Sequence, residues 1–70
     1  MIPVDDYGRL ILSDDDLTPT EGWAYIEFVG ISSDLIFANR ADAKGWALLH
    51  GDSDPTIVKV VVTGHEIERA

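Results

Sequence analysis

The apolar residues of this chain are grouped in short runs, and the clearest is WAYIEFV at residues 23–29. There Ala24, Ile26 and Phe28 alternate with Trp23, Tyr25 and Glu27, and the run is rich in aromatic and β-branched residues. That period of two predicts a strand with Ala24, Ile26 and Phe28 toward the core, ended by Gly30. TIVKVVVT at Thr56–Thr63 is β-branched nearly throughout. Such side chains lose freedom in a helix and suit a pleated sheet. Its apolar character on both faces predicts a strand covered on both sides. Gly64 interrupts the run and HEIER continues it. A bulge at Gly64 would bring Val62 and Ile67 to one face.

YGRLIL at residues 7–12 reads as a short strand, with Gly8 giving local freedom. LIFAN at residues 35–39 reads as a strand after the turn-like GISSD. A helix capped by the Ser33 hydroxyl competes with that reading. The Asp, Thr, Pro and Gly content of residues 13–22 makes them a loop, and DSDP at residues 52–55 is a second acidic turn.

The stretch ANRADAKGWALLHG at residues 38–51 supports two elements. As a helix it has a cap at Asn39, Asp42 at the third position and Gly51 just past the end. Against the helix stands Gly45, which costs about 1 kcal/mol relative to Ala in a helix interior. As a hairpin, ADAKG is a polar loop ending in a glycine that can take a positive φ. Trp46, Leu48 and His50 then share one face of the returning strand, and Trp46 fills the core. The neighbouring strands favour the hairpin. The fold expected is therefore all-β, an antiparallel meander of five or six strands forming a partly open barrel or a sandwich. The alternative is α+β, with one helix near residues 40–50 on an antiparallel sheet.

AN at residues 38–39, KGWALL at residues 44–49 and VVTGHEI at residues 61–67 follow one another in an order that resembles small proteins of tailed bacteriophages. In those, a strand, a tight loop, a "GW" strand and a last strand with a late glycine succeed each other. The resemblance covers the second half of the chain and carries no catalytic residue. It implies a compact β-meander and a viral origin.

Seventy residues suggest one domain with a small core, since a chain of this size buries only about 60% of its unfolded surface. Such scaffolds lean on a disulfide, a metal or a partner. There is no Cys, which excludes disulfides, thiolate metal sites and Cys nucleophiles. A hydrophobic content of 46% excludes a disordered tail. No apolar run approaches the ~20 residues of a membrane span. The first residues, MIPVDDYG, have no basic region followed by an apolar one, so no signal peptide is expected.

The net charge is −8, unevenly spread. Residues 1–34 carry eight acids and one base, a net −7, and residues 35–70 carry five acids and four bases, a net −1. Direct nucleic-acid binding needs Lys and Arg to neutralise phosphates, so neither nucleic acid nor an anionic membrane is an expected partner.

Three features could carry chemistry. The run Asp14, Asp15, Asp16 suggests a calcium loop, but no glycine follows at the offset that motif requires, so a solvated acidic turn is the simpler reading. Asp52 and Asp54 would add oxygens only if the two loops met. His50 and His65 neighbour Asp52 and Glu66 in sequence, but adjacent residues on a strand point to opposite faces. With no phosphate loop, HExxH or nucleophile signature, the expectation is no enzyme, no cofactor and no metal.

If Ala24, Ile26 and Phe28 face the core, Trp23, Tyr25 and Glu27 face outward. Aromatics concentrate in the centres of interfaces, so Trp23, Tyr25, Glu27, Asp14, Asp15 and Asp16 are the candidate partner-binding residues. The expected function is protein–protein contact, with another protein or with copies of itself through a flat edge at Thr56–Thr63. In a phage setting this would be a virion or accessory component, in the host cytoplasm or the virion. The alternative is an acidic mimic of nucleic acid that inhibits a nucleic-acid-binding protein.

Overall fold

A computed structural model describes residues 2–28 and 30–70. Four antiparallel strands and one helix follow in the order β1 (Thr20–Glu27), β2 (Gly30–Phe37), α1 (Arg40–Leu49), β3 (Thr56–Thr63) and β4 (Glu66–Arg69). The sheet order is β2-β1-β3-β4, and the sheet curls into a half-barrel. The fold is mostly β, as the strand pattern implies. Five or six strands are not present among the described residues, and the arrangement matches the alternative of one helix on an antiparallel sheet.

Residues 40–50 do not form the favoured hairpin. The Asn39 side chain accepts from the Asp42 amide at 3.0 Å, and its Nδ2 donates to Asp42 Oδ2 at 2.8 Å. One orphan backbone donor is thus satisfied at the helix start, and the side-chain bond braces the cap that satisfies it. At the other end the Gly51 amide donates to Leu48 O and the Asp52 amide to Ala47 O, with Gly51 at φ +86°. This is the six-to-one, five-to-two closure that ends many helices. Both ends are capped, and Ala43 and Ala47, one turn apart, are fully buried against the sheet. Together these outweigh the cost of Gly45. The "GW" strand on which the phage resemblance rested is helix here.

Other boundaries differ from the pattern reading. β1 begins at Thr20, inside the expected loop, and Phe28 lies in the turn after it at 105% exposure rather than in the core. Val29, the expected strand end, lies outside the described residues. β2 begins at Gly30 and runs through the expected turn. From Ile31 to Ile36 it advances five residues while β1 advances two, from Ile26 to Ala24, so Ser32, Ser33 and Asp34 bulge out. No helix starts at Ser33; the Ser32 hydroxyl instead accepts from the Asp34 amide. Gly64 is not a bulge within one strand. Thr63 pairs with Glu66 across a two-residue turn with Gly64 at φ +61°, and Val62 still pairs with Ile67. β3 lies between β1 and β4, but β4 pairs only with Val60–Thr63, so the expected edge at Thr56–Thr63 is covered over its second half and has no strand beside it near Thr56.

Residues 7–12 form isolated bridges in place of a strand. Val4 pairs with Leu10 and Arg9 with Phe37. The Leu10 amide donates to Ile36 O at 2.7 Å, which fastens the segment beside β2.

The sheet is covered on both faces. Under α1, Tyr25, Leu35 and Phe37 pack with Ala43 and Ala47, flanked by Trp23, Trp46 and Ile57. On the opposite face Ala24, Ile36, Val60 and Val62 pack with Ile2 and Leu10 from the N-terminal segment. A Cβ at Gly22 would meet Leu10 Cδ1 and Ile36 Cγ2 at 3.0 Å, so that glycine admits the covering segment. Each fully buried large side chain contributes about 1.5–3 kcal/mol.

Candidate functional site

The six residues singled out from the sequence divide into two groups. Trp23 and Tyr25 do share a face of β1, but α1 covers it. Tyr25 is buried and Trp23 half-buried. The Tyr25 hydroxyl donates to Asp52 Oδ2 at 2.7 Å. That bond, with burial and the charges of Asp52 and Glu27, pushes the Tyr25 hydroxyl above its ordinary value of 10.0. Tyr25 therefore anchors the loop after α1. Glu27 is exposed at the end of β1.

Asp14, Asp15 and Asp16 lie near the other end of β3. Asp14 binds the His65 ring at Nδ1, the Asp15 amide donates to Ser13 Oγ, and Asp16 O accepts from the Gly64 amide. The Thr18 amide holds the Asp16 carboxyl below the usual carboxylate value. The acidic run thus ties its loop to the β3–β4 turn. Asp52 and Asp54 precede the opposite end of β3, about 20 Å away at ~3.3 Å per strand residue, so the two loops do not meet. Among the described residues no group of three or more His, Asp or Glu converges as a metal site.

Ser33 and His65 line one polar cleft of about 300 Å³ with Asp5, Arg9 and Asp34. Ser33 makes no hydrogen bond to His65, and the pair lacks the contact that activates a nucleophile.

A second groove, of about 330 Å³, lies on the outer side of α1, lined by Tyr7, Ala41, Asp42, Gly45, Trp46 and Leu49. The helical period puts Ala41, Gly45 and Leu49 away from Ala43 and Ala47, which face the sheet, while Trp46 lies at the border and also packs on the core. The remaining wall comes from the turn at residues 5–9. Asp5 Oδ1 accepts from the Tyr7 and Arg9 amides, and Asp5 Oδ2 accepts from Arg9 Nε at 2.7 Å. Burial opposes the charged form of Asp5, but hydrogen bonds from Arg9 and Tyr7 outweigh it and hold the carboxyl below 3.8. Gly8 turns the chain at φ +83°, and a Cβ there would collide with the Asp42 carboxylate.

Trp46 joins turn and helix. Its ring stacks on His50 at 4.4 Å and 22°, and Arg9 Cζ lies 4.7 Å from its centre. Tyr7 meets it edge-on at 5.3 Å. Arg9 is shared between Asp5 and Trp46, so its charge is neutralised within the fold. The groove floor is open, because nothing lies within 4 Å of a Cβ placed at Gly45. Tyr7 is 58% exposed and Leu49 79%. Sequence reading missed this site because it depends on Tyr7 meeting a helix some forty residues later. The signals were present in part: Asn39, Asp42 and Gly51 marked the helix.

No helix among the described residues is long and apolar enough to cross a membrane. Compared with protein-family models, curated proteins and solved structures, the chain matches none.

Proposed function

We propose that the chain is a non-enzymatic binding module whose partner is another protein. The observation that carries this reading is what the fold leaves uncovered. Both sheet faces are filled, yet Tyr7, Leu48 and Leu49 stay half-exposed or more around α1, and Phe28 projects from the β1–β2 turn. A small fold has no packing use for apolar groups so placed, and exposed apolar clusters mark interaction sites. A copy of the chain is a poorer partner, because each copy brings −8.

The acidic-mimic reading has less support. Carboxylates lie on the turn of residues 5–9, the loop before β1, β1, the β2 bulge, α1, the loop after it, and β4. Asp5, Asp14 and Glu21 are engaged by Arg9, His65 and Lys59. Carboxylates spread over so many elements, three of them engaged within the fold, argue against the ordered row of free charges that a phosphate mimic presents.

The test is partner retention. The full chain and a Tyr7→Ser, Leu49→Ser double variant are immobilised and exposed to extract of the native source, and retained proteins are compared. A protein held by the first and lost from the second is the expected result. Equal retention by both would refute this surface as the contact. Light scattering after size exclusion checks self-association, with a monomer expected.

A further inference from the structure

We propose that the groove between Tyr7 and α1 receives a segment of another protein in which an aliphatic side chain stands next to a lysine or arginine. This rests on the binding-module reading and names its site and the chemistry of its partner.

Gly45 is the first ground. A glycine in a helix interior costs about 1 kcal/mol. Here it has no internal justification: its φ is not positive, and an added Cβ would meet nothing within 4 Å. Gly8 and Gly22, by contrast, are each required by a close neighbour. What the absent side chain at Gly45 provides is floor space between Tyr7 and Leu49. The walls there are a phenol ring, an indole and a leucine, which fit an aliphatic group.

Charge is the second ground. Among the described residues, Asp42 is the only charged one lining the groove, and Asp6 is exposed beside Tyr7. The nearest base, Arg9, is held by Asp5 and Trp46. At about 100° per residue, Arg40 and Lys44 project away from the groove, and neither lines it. Asp42 accepts one hydrogen bond from Asn39 Nδ2 and keeps acceptor capacity, since a carboxylate offers about four lone-pair sites. A cation flanking the aliphatic anchor would meet Asp42 within a field that is negative overall. An anionic segment, or a second copy of this chain, would meet repulsion.

The test uses random twelve-residue peptides displayed on a surface and selected on the full chain. Enriched peptides are then synthesised with a fluorophore and titrated by anisotropy. The expected consensus places Leu, Ile or Met within two positions of Lys or Arg. Gly45→Leu, which fills the floor and keeps a good helix former, is expected to weaken binding at least tenfold. Asp42→Asn, which keeps an acceptor for Asn39, should weaken it several-fold and flatten its salt dependence. Helical circular dichroism confirms that both variants fold, and amide shifts on titration should centre on Tyr7, Gly45 and Leu49. Enriched peptides without a cation, or binding indifferent to Gly45→Leu, overturn the groove. Shifts centred on Phe28 also overturn it while leaving the binding-module reading intact. No enrichment at all, with no partner retained from extract, overturns both.

Discussion

The two faces of the sheet are filled by opposite means. Under α1 the sheet supplies the bulk, with Tyr25 and Phe37, and the helix supplies alanines, Ala43 and Ala47. Small residues let the helix axis approach the aromatic layer closely. On the other face the sheet is aliphatic and the cover is an irregular segment whose Leu10 reaches in over Gly22. The helix satisfies its own backbone and needs only a cap at each end. The N-terminal segment folds back on itself only briefly, where Val4 pairs with Leu10, and takes its remaining backbone bonds from the end of β2. Regular structure can therefore be laid over a face, while an irregular cover must be fastened bond by bond.

The largest expected effect comes from the aromatic layer. Phe37→Ala should cost about 3–5 kcal/mol, close to the whole stability of so small a domain. Urea denaturation should then show little or no cooperative transition, and a loss below 1 kcal/mol would mean that α1 is not set by this layer. Gly22→Val attacks the other face. Crowding Leu10 and Ile36 should cost about 1–3 kcal/mol. Hydrogen exchange should speed up at the Leu10 amide while α1 stays protected. If α1 loosens equally, the two covers are not independent.

Asn39→Ala removes the cap that α1 needs and should cost about 1 kcal/mol, read as a lower urea midpoint. Gly45→Ala should raise stability by about 0.5–1 kcal/mol, since no neighbour resists the methyl group. A destabilised alanine variant would reveal a packing role for that glycine. The most local effect is alkaline. Tyr25 donates to Asp52 only when protonated, and its folded value lies above 10.0. Its contribution is complete below pH 10 and fades as pH rises through the folded value. Stability measured across alkaline pH should therefore decline less in Tyr25→Phe than in the native chain.

The same contrast explains what the sequence made legible. β1 and β3 could be read because their preference is local, in Trp23, Tyr25, Ile26 and the β-branched run from Thr56. The ends of α1 could be read as well, since Asn39, Asp42 and Gly51 act on nearby backbone. The choice between helix and hairpin could not, because Gly45 argues locally against a helix whose stability comes from burying Ala43 and Ala47. The pair of small residues one turn apart was the overlooked sign. Trp23 and Tyr25 were rightly placed on a shared face, but which cover lay over it depended on that same choice. The pairing of Asp14 with His65 and the approach of Tyr7 to Trp46 join distant parts of the chain, and no local pattern encodes them.

The strand order has a kinetic consequence. β1 with β2, and β3 with β4, are hairpins whose partners are close in sequence, and isolated hairpins form in about 1–10 μs. β1 and β3 must find each other across all of β2 and α1, pairing Ile26 with Thr56 and Thr20 with Val62. Closing that loop loses chain entropy before any contact repays it. The seam between the two hairpins is therefore the expected folding nucleus. Substitutions along it should slow folding, while those in the β3–β4 turn should chiefly hasten unfolding.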